Sequence, residues 1–210
     1  MQRARTPEAR ARKRDLLLQS AREIFVEQGY LNTTVDAITT RAGCSPGTFY
    51  IYFDSRATIF KEIMSQGIDI LMDLFEEALN WSEEDARSKI TGLARAYIDF
   101  YQQNNQYFQI MAILSLQSAD LRKRDSQISQ EIDAKNMRIL KQIEAIVQAG
   151  QKRGEFKKDL NARTLTISLW GYLDGLLLLE TRGNLHTAGM DLNVLVQDSL
   201  DTLFNGLMTK

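Results

Sequence analysis

The chain of 210 residues is 44% apolar and 25% charged, which is typical of a globular protein with a substantial core. Its net charge of −1 argues against a chain that binds polyanions over its whole surface, and its single cysteine excludes an intramolecular disulfide. The charge is nevertheless segregated, because residues 1–60 carry a net charge of +3 and residues 61–210 carry −4. This division is expected when one end of a protein meets phosphate, although a solvated basic tail would give the same pattern.

Helical periodicity recurs along nearly the whole chain and strand signals are almost absent, which predicts an all-α protein of about nine helices. Residues 1–13 are predicted to form a basic, flexible arm, either free in solvent or in contact with a minor groove or phosphate. The predicted helices cover about residues 10–28, 34–42, 46–51, 55–79, 83–103, 107–117, 128–153, 161–181 and 192–208.

Capping residues set several of these boundaries. Gly29 and Gly43 are predicted to end the first two helices, and Ser45 with Pro46 is predicted to start the third. Ser82 with Asp85 matches a capping box for the fifth helix. The charged stretch 121–126 and the Gly-bounded stretch 183–189, which contains His186, are predicted to be irregular.

The most informative stretch is residues 33–56, which read TTVDAITTRAGCSPGTFYIYFDSR. Two short helices separated by a glycine-containing turn predict a helix-turn-helix, whose second helix can enter a DNA major groove. Phe49 is predicted to face the core of the three-helix unit, while Gly47 allows a close backbone approach. The alternative is a helical hairpin in which the tyrosines only pack.

The polar side chains of this stretch suit contacts with DNA. The Thr48 hydroxyl and methyl can read a base edge, the tyrosine phenols can bind phosphates, and Thr34 lies at a helix N-terminus that favours phosphate. Arg56 adds a charged phosphate contact. The predicted DNA-binding residues are Thr34, Ser45, Gly47, Thr48, Tyr50, Tyr52 and Arg56.

The segment from about residue 13 to residue 63 resembles the N-terminal domain of the tetracycline-repressor (TetR) family. The resemblance is carried by AREIFVEQGY, TTVDAITTRAG and SPGTFYIYFDSR, and Arg56 stands where the family usually has lysine. It implies a homodimer on a near-palindromic, double-stranded DNA operator, with a C-terminal effector domain. The expected division is a DNA-binding domain at 14–56 and a ligand-binding and dimerisation domain at 57–210.

The last two predicted long helices are strongly apolar, and the eighth is apolar around most of its circumference. This pattern favours a four-helix interface between two protomers over a purely monomeric core. The predicted interface residues are Leu169, Leu173, Leu177, Leu195, Leu200 and Leu203. The resemblance implies a lipophilic effector, such as the acyl-CoA bound by some relatives, in a pocket of the C-terminal domain. The alternative is that the same apolar and aromatic residues form an ordinary core. Its predicted lining is Tyr97, Tyr101, Phe108, Met111 and Trp170.

The sequence therefore predicts a ligand-responsive transcriptional repressor, with a helical sensor that does not bind DNA as the first alternative. An enzyme is not expected, because histidine and cysteine are scarce and no Gly-rich phosphate loop occurs, and neither a cofactor nor a metal is predicted. No signal-peptide-like run occurs, and the apolar stretch 176–179 is bounded by Asp174 and Glu180. A cytoplasmic protein without a membrane partner is expected.

Overall fold

The computed structural model describes residues 6–81, 84–124 and 126–208. These residues form α-helices joined by short turns, and their β-bridging is confined to Phe156 with Met208, so the all-α prediction is confirmed. The long helices are α1 (Pro7–Asn32), α4 (Arg56–Trp81), α5 (Ala86–Gln103), α8 (Gln127–Arg153), α9 (Ala162–Thr181) and α11 (Leu192–Leu207). The short ones are α2 (Val35–Arg41), α3 (Pro46–Tyr52), α6 (Asn105–Phe108), α7 (Ala119–Arg122) and α10 (Asn184–Thr187).

The chain divides into two compact units. The first unit contains the described residues of Met1–Asp69 and Asn104–Asp133, and the second contains those of Ile70–Gln103 and Ala134–Lys210. Residues 104–133 therefore pack with the helix-turn-helix, although the sequence placed them in the C-terminal domain. The division at residue 56 separates a DNA-binding domain from a ligand-binding and dimerisation domain by function, and it stays a prediction.

The core of the first unit joins α1, α2 and α3 to the start of α4. Phe25 and Phe60 meet edge to face with ring centroids 5.0 Å apart, and Tyr30 lies 5.2 Å from Phe60 in the same geometry. Leu17, Ile38 and Phe49 complete the centre of this cluster. Residues from beyond α5 enter it as well, namely Ile110, Leu114 and Leu121.

The first helix begins earlier than predicted. Thr6 is its N-cap, because the Thr6 hydroxyl accepts a hydrogen bond of 3.2 Å from the Ala9 amide, and Pro7 occupies the first helical position. Residues 7–13 are therefore helical, which corrects the prediction of a flexible arm over that part, while residues 1–5 lie outside the described residues. Gly29 breaks the regular helix with a φ of 79°, and one further turn follows it.

The stretch 104–124 is more irregular than the single predicted helix. After α6 it forms a π turn at Gln109–Ile113 and a 3-10 turn at Leu114–Leu116, and α7 follows where the sequence predicted no helix. The Ser115 hydroxyl donates to the Met111 carbonyl oxygen at 2.6 Å, a contact that competes with the regular helical ladder. Ser118 then caps α7 by accepting from the Asp120 amide at 3.3 Å.

The second unit packs α5, α9 and α11 with the later parts of α4 and α8. Phe156 stacks on Phe204 at 6.2 Å, and the Lys157 amide donates to the Leu207 carbonyl oxygen at 3.0 Å. Asn161 caps α9 by accepting a hydrogen bond from the Thr164 amide at 2.9 Å. The structure corrects two details. Asp85 itself caps α5 by accepting from the Ser88 amide at 2.9 Å, whereas Ser82 lies outside the described residues. His186 belongs to α10 rather than to a loop.

Across the described ranges, no helix combines the length and apolar character needed to cross a lipid bilayer.

Candidate nucleic-acid interface

A side-chain cap and buried contacts fix the position of α2. The Thr34 hydroxyl, exposed at the N-cap, accepts a hydrogen bond of 3.1 Å from the Ala37 amide. Ile38 is fully buried and fixes the helix to the core. Gly43, with a φ of 59°, ends the helix, and the Cys44 amide then donates to the Thr39 carbonyl oxygen at 2.9 Å. The turn between α2 and α3 is therefore fixed by backbone geometry that favours glycine.

The third helix separates an inner from an outer face. Phe49 is fully buried, whereas Gly47 and Tyr50 are exposed and Thr48 is half-buried. Ser45 stands at the N-cap, but its hydroxyl contacts the Thr48 hydroxyl at 3.1 Å instead of capping a backbone amide. The outer face of α3 therefore presents the exposed Gly47, Tyr50 and Ile51, with the half-buried hydroxyl-bearing side chains beside them. Pro46 starts the helix without losing a hydrogen bond.

The two tyrosines of α3, Tyr50 and Tyr52, differ in how far they are exposed to solvent. Tyr50 is 58% exposed, and its ring rests edge-on against Phe49 with centroids 5.3 Å apart. Its phenol is therefore available to an external acceptor while its ring is held in place. Tyr52 is half-buried and packs against the core of the first unit, so less of it can reach a ligand.

Arg56 is engaged within the protein. Its guanidinium lies 4.2 Å from the centroid of the Tyr30 ring and donates to the Thr33 carbonyl oxygen. Arg41 is held in the same way, because its guanidinium forms two hydrogen bonds of 2.6 Å with the Glu27 carboxylate. The hydrogen bonding between these two side chains is the largest cause both of the raised pKa of Arg41 and of the lowered pKa of Glu27. Sequence reasoning had no signal for either pairing.

Comparison with known proteins agrees with this arrangement. The profile described as "Bacterial regulatory proteins, tetR family" matches residues 17–63, and one described as "Tetracyclin repressor-like, C-terminal domain" matches residues 87–174. Together they span more than half of the chain and both of its units. The chain belongs to the TetR family. The resemblance seen in the sequence is therefore confirmed.

The relatives of this TetR-family protein are transcriptional regulators rather than enzymes. It is 24% identical over 202 residues to the fatty acid metabolism regulator protein of Bacillus subtilis, and the alignment covers 92% of this chain and 95% of the relative. It is 28% identical over 156 residues to the HTH-type transcriptional repressor KstR2 of Mycolicibacterium smegmatis, with 74% and 73% of the two chains covered. The structure of FadR from Bacillus subtilis in complex with stearoyl-CoA shares the fold, with a TM-score of 0.73, 21% identity, and 91% and 98% of the chains covered.

The predicted pocket residues of this TetR-family chain belong to both units. In the first unit Phe108 is buried and Met111 lies in the π turn, where a Cβ placed on Gly67 would stand 2.6 Å from the Met111 sulfur. In the second unit Tyr97 is buried, Tyr101 is half-buried, and Trp170 is 42% exposed. The structure therefore does not gather these residues within either single unit.

A polar contact lies among the aromatic residues of the second unit. The Tyr97 phenol donates to a carboxylate oxygen of Asp174 at 2.5 Å. Burial raises the pKa of Tyr97 well above its usual value, and the Asp174 carboxylate raises it further. Burial also raises the pKa of Asp174, partly offset by the hydrogen bond from Tyr97. No sequence pattern indicates this pair, because its members lie 77 residues apart.

The pair predicts a measurable pH dependence of stability. Because the pKa of Asp174 is raised on folding, the folded state holds its proton more tightly, and stability falls as pH rises from the unfolded towards the folded pKa. We expect Asp174→Asn to be more stable than the parent at about pH 7 and to lose that advantage at a pH well below the ordinary aspartate value of about 3.9, where the carboxyl is protonated in both the folded and the unfolded state. Urea denaturation at both pH values measures the difference, and an equal destabilisation at both would contradict it.

An open groove of about 740 Å³ also lies on the second unit, along α5 and α11. Arg87, Arg95, Asp99 and Asp201 contribute to its lining, together with small residues such as Gly92. Arg87 is tied to Asp201 at 2.7 Å and Arg95 to Gln197 at 3.0 Å. This charged lining does not suit the lipophilic effector expected from the sequence, and none of the predicted pocket residues line it.

The predicted interface leucines of α9 and α11 divide into two groups. Leu169, Leu177 and Leu200 are buried within their own protomer, so they offer little surface to a second copy. Leu173, Leu195 and Leu203 are partly exposed. The apolar side chains that α9 and α11 leave most exposed are Ile167, Trp170, Leu179 and Val194.

The parts of the chain that the structure describes contain no cluster of three or more His, Cys, Asp or Glu side chains that could hold a metal ion.

Proposed function

We propose that this TetR-family protein is a cytoplasmic repressor that binds an operator as a homodimer and responds to a small lipophilic effector. The observation that carries the proposal is the outer face of α3, where Gly47 and Tyr50 are exposed and Thr48 is partly exposed, while Phe49 anchors the helix in the core. A rigid helix with a small, hydroxyl-rich outer face fits a major groove. A helical sensor without DNA binding would have no need of this face.

The proposed DNA contacts are of two kinds: one reads the edges of bases, and the others position the protein on the phosphates. We assign Thr48 to base edges, because its hydroxyl and methyl can both meet a base pair in the major groove. Tyr50 and the exposed Thr34 hydroxyl are assigned to phosphates, with Ser45 and Tyr52 as flanking contacts and Gly47 as the point of closest backbone approach. Arg56 contributes to this surface by fixing Tyr30 and Thr33 more than by its free charge.

Dimerisation is proposed through the exposed face of α9 together with α11. Ile167 and Trp170 lie three residues apart and share one side of α9, and Val194 is exposed on α11. Two copies of such a face bury apolar area against each other and leave a symmetric interface. The two reading helices would then meet half-sites about 34 Å apart, or a multiple of that distance.

Ile167→Glu is predicted to dissociate the dimer. Ile167 is 49% exposed in the protomer, so the change leaves the core intact but places a charge in the proposed interface, at a cost of several kcal/mol. Sedimentation velocity should show a shift from dimer to monomer. The control is Trp81→Glu on α4, where the side chain is 85% exposed and the dimer should persist. A dimeric Ile167→Glu variant would refute the assigned interface.

The effector is proposed to be acyl-CoA-like. Support comes from the similarity to the fatty acid metabolism regulator of Bacillus subtilis and from the fold shared with FadR in complex with stearoyl-CoA. Allosteric coupling of about 1–3 kcal/mol would change operator affinity roughly 5–150-fold. Titration of the protein–DNA complex with stearoyl-CoA, and with free CoA as the control, tests this assignment. Equal effects of the two compounds would exclude recognition of the acyl chain.

In vitro selection from a random pool of duplex DNA tests the main function. The proposal predicts that the full-length protein enriches a site with two inverted half-sites. Failure to enrich any sequence, with a folded and dimeric protein, would instead favour the sensor without DNA binding.

A further inference from the structure

The cations of the first unit are divided between those with partners inside the protein and those without. In the described residues of this unit, the side chains of Arg10, Arg12 and Lys13 make no hydrogen bond, ion pair or ring contact. All three stand within the first two turns of α1. The other Lys and Arg side chains are each engaged, namely Arg14, Arg22, Arg41, Arg56, Lys61, Arg122, Lys123 and Arg124.

Helix geometry places two of the three free cations on the side of α1 that faces the helix-turn-helix. Lys13 stands four residues before Leu17 and three after Arg10, so these residues share one stripe of the helix. Leu17 is fully buried in the cluster against which Cys44 also packs. Arg12 is turned about 160° away from Arg10 on the same helix.

The segment of α1 that carries Lys13 lies next to α3. The Arg14 guanidinium, one residue after Lys13, lies 5.2 Å from the centroid of the Phe53 ring, and Phe53 is the C-cap of α3. The positive charge of Lys13 also offsets part of the rise that burial causes in the pKa of the Cys44 thiol. Cys44 immediately precedes Ser45, the N-cap of α3. Lys13 and Arg10 therefore belong to a segment of α1 that lies next to the helix proposed to read DNA.

We propose that Lys13 and Arg10, in the first turns of α1, supply the positive charge that binds DNA phosphates beside α3. The inference rests on the proposed function and assigns to α1 the charged role that the sequence assigned to Arg56. Arg56 and Arg41 must break internal contacts before they can bind a phosphate, whereas Lys13 and Arg10 need not. A cation without an internal partner releases counterions from DNA at no such cost.

The salt dependence of binding to a mixed-sequence duplex measures these contacts directly. Each phosphate contact contributes about 0.9 to the slope of log K against log salt concentration, and a dimer makes each contact twice. Lys13→Gln is therefore expected to reduce the magnitude of the slope by up to about 1.8 and to weaken binding at least roughly tenfold at low salt. Arg10→Gln should act in the same direction, and Lys13→Arg should restore the parent slope.

Two variants serve as matched controls. Arg22→Gln removes the same charge from the same helix, but the Arg22 guanidinium binds Gln106 at 3.0 Å and stacks on Tyr107, so the slope should hold. Arg56→Gln should change the slope less than Lys13→Gln does. If Lys13→Gln and Arg22→Gln give equal slopes while Arg56→Gln lowers the slope, the α1 assignment is overturned. If the parent protein itself shows no salt-dependent binding to duplex DNA, the proposed function fails instead.

Discussion

Replacing Tyr50 by phenylalanine is expected to weaken operator binding roughly a hundredfold while leaving the fold intact. A hydrogen bond to a charged phosphate contributes about 1.5 kcal/mol or more, and a dimer loses two of them, for a total of about 3 kcal/mol. The ring of Tyr50 would keep its edge contact with Phe49 at 5.3 Å. Fluorescence anisotropy with the selected duplex measures the affinity, and thermal unfolding measures the stability.

Tyr107→Phe is the matched control for this prediction. Tyr107 belongs to the same unit and also loses one phenolic hydroxyl, but it lies in α6, where its ring supports Arg22. Its operator affinity should equal that of the parent protein. If the two phenylalanine variants bind DNA equally well, the outer face of α3 is not the phosphate-binding surface assigned to it.

The second large effect is expected in the second unit at Gly150. A Cβ placed there would stand 2.7 Å from the Ala86 Cβ and 2.9 Å from a ring carbon of Phe156. Both neighbours are fully buried, and Phe156 is stacked on Phe204, so neither can move freely. Gly150→Ala should lower the free energy of unfolding by about 2 kcal/mol despite the better helix propensity of alanine. The melting temperature should fall by about 4–8 °C.

Gly206→Ala separates overpacking from helix propensity. Gly206 lies in α11, and a Cβ there would meet no atom within 4 Å. The alanine should therefore stabilise the protein by about 0.5–1 kcal/mol. Differential scanning calorimetry of both variants gives the comparison. A Gly150→Ala protein that is as stable as Gly206→Ala would show that the packing at α8 is looser than the structure indicates.

The helix-turn-helix was predictable because its signals are local. Gly43, Ser45, Pro46 and the buried Phe49 lie within seven residues, and each contributes a turn, a helix start or an inner face that the structure contains. The strong apolar character of α9 and α11 likewise predicted their extent well. Periodicity and caps carry this information without any tertiary contact.

The remainder depends on contacts between residues far apart in sequence. Gln117 accepts from the Tyr30 amide at 2.9 Å, which helps join the irregular stretch 104–124 to the helix-turn-helix. No pattern within either segment indicates that contact. The same holds for Arg56, whose position suggests a phosphate contact but whose guanidinium meets the Tyr30 ring. It also holds for Leu169, Leu177 and Leu200, because an apolar helix pattern does not indicate whether a leucine packs within its own protomer or against a second copy.

Amide hydrogen exchange of the full-length protein, with and without the selected duplex, reports which residues DNA covers. We expect DNA to slow exchange most strongly across residues 34–53, with a second protected stretch in the first turns of α1. No comparable protection is expected in α5, which carries no assigned DNA contact. Slowed exchange confined to α5 or α8, with residues 34–53 unchanged, would contradict the assignment of the α3 face as the DNA interface.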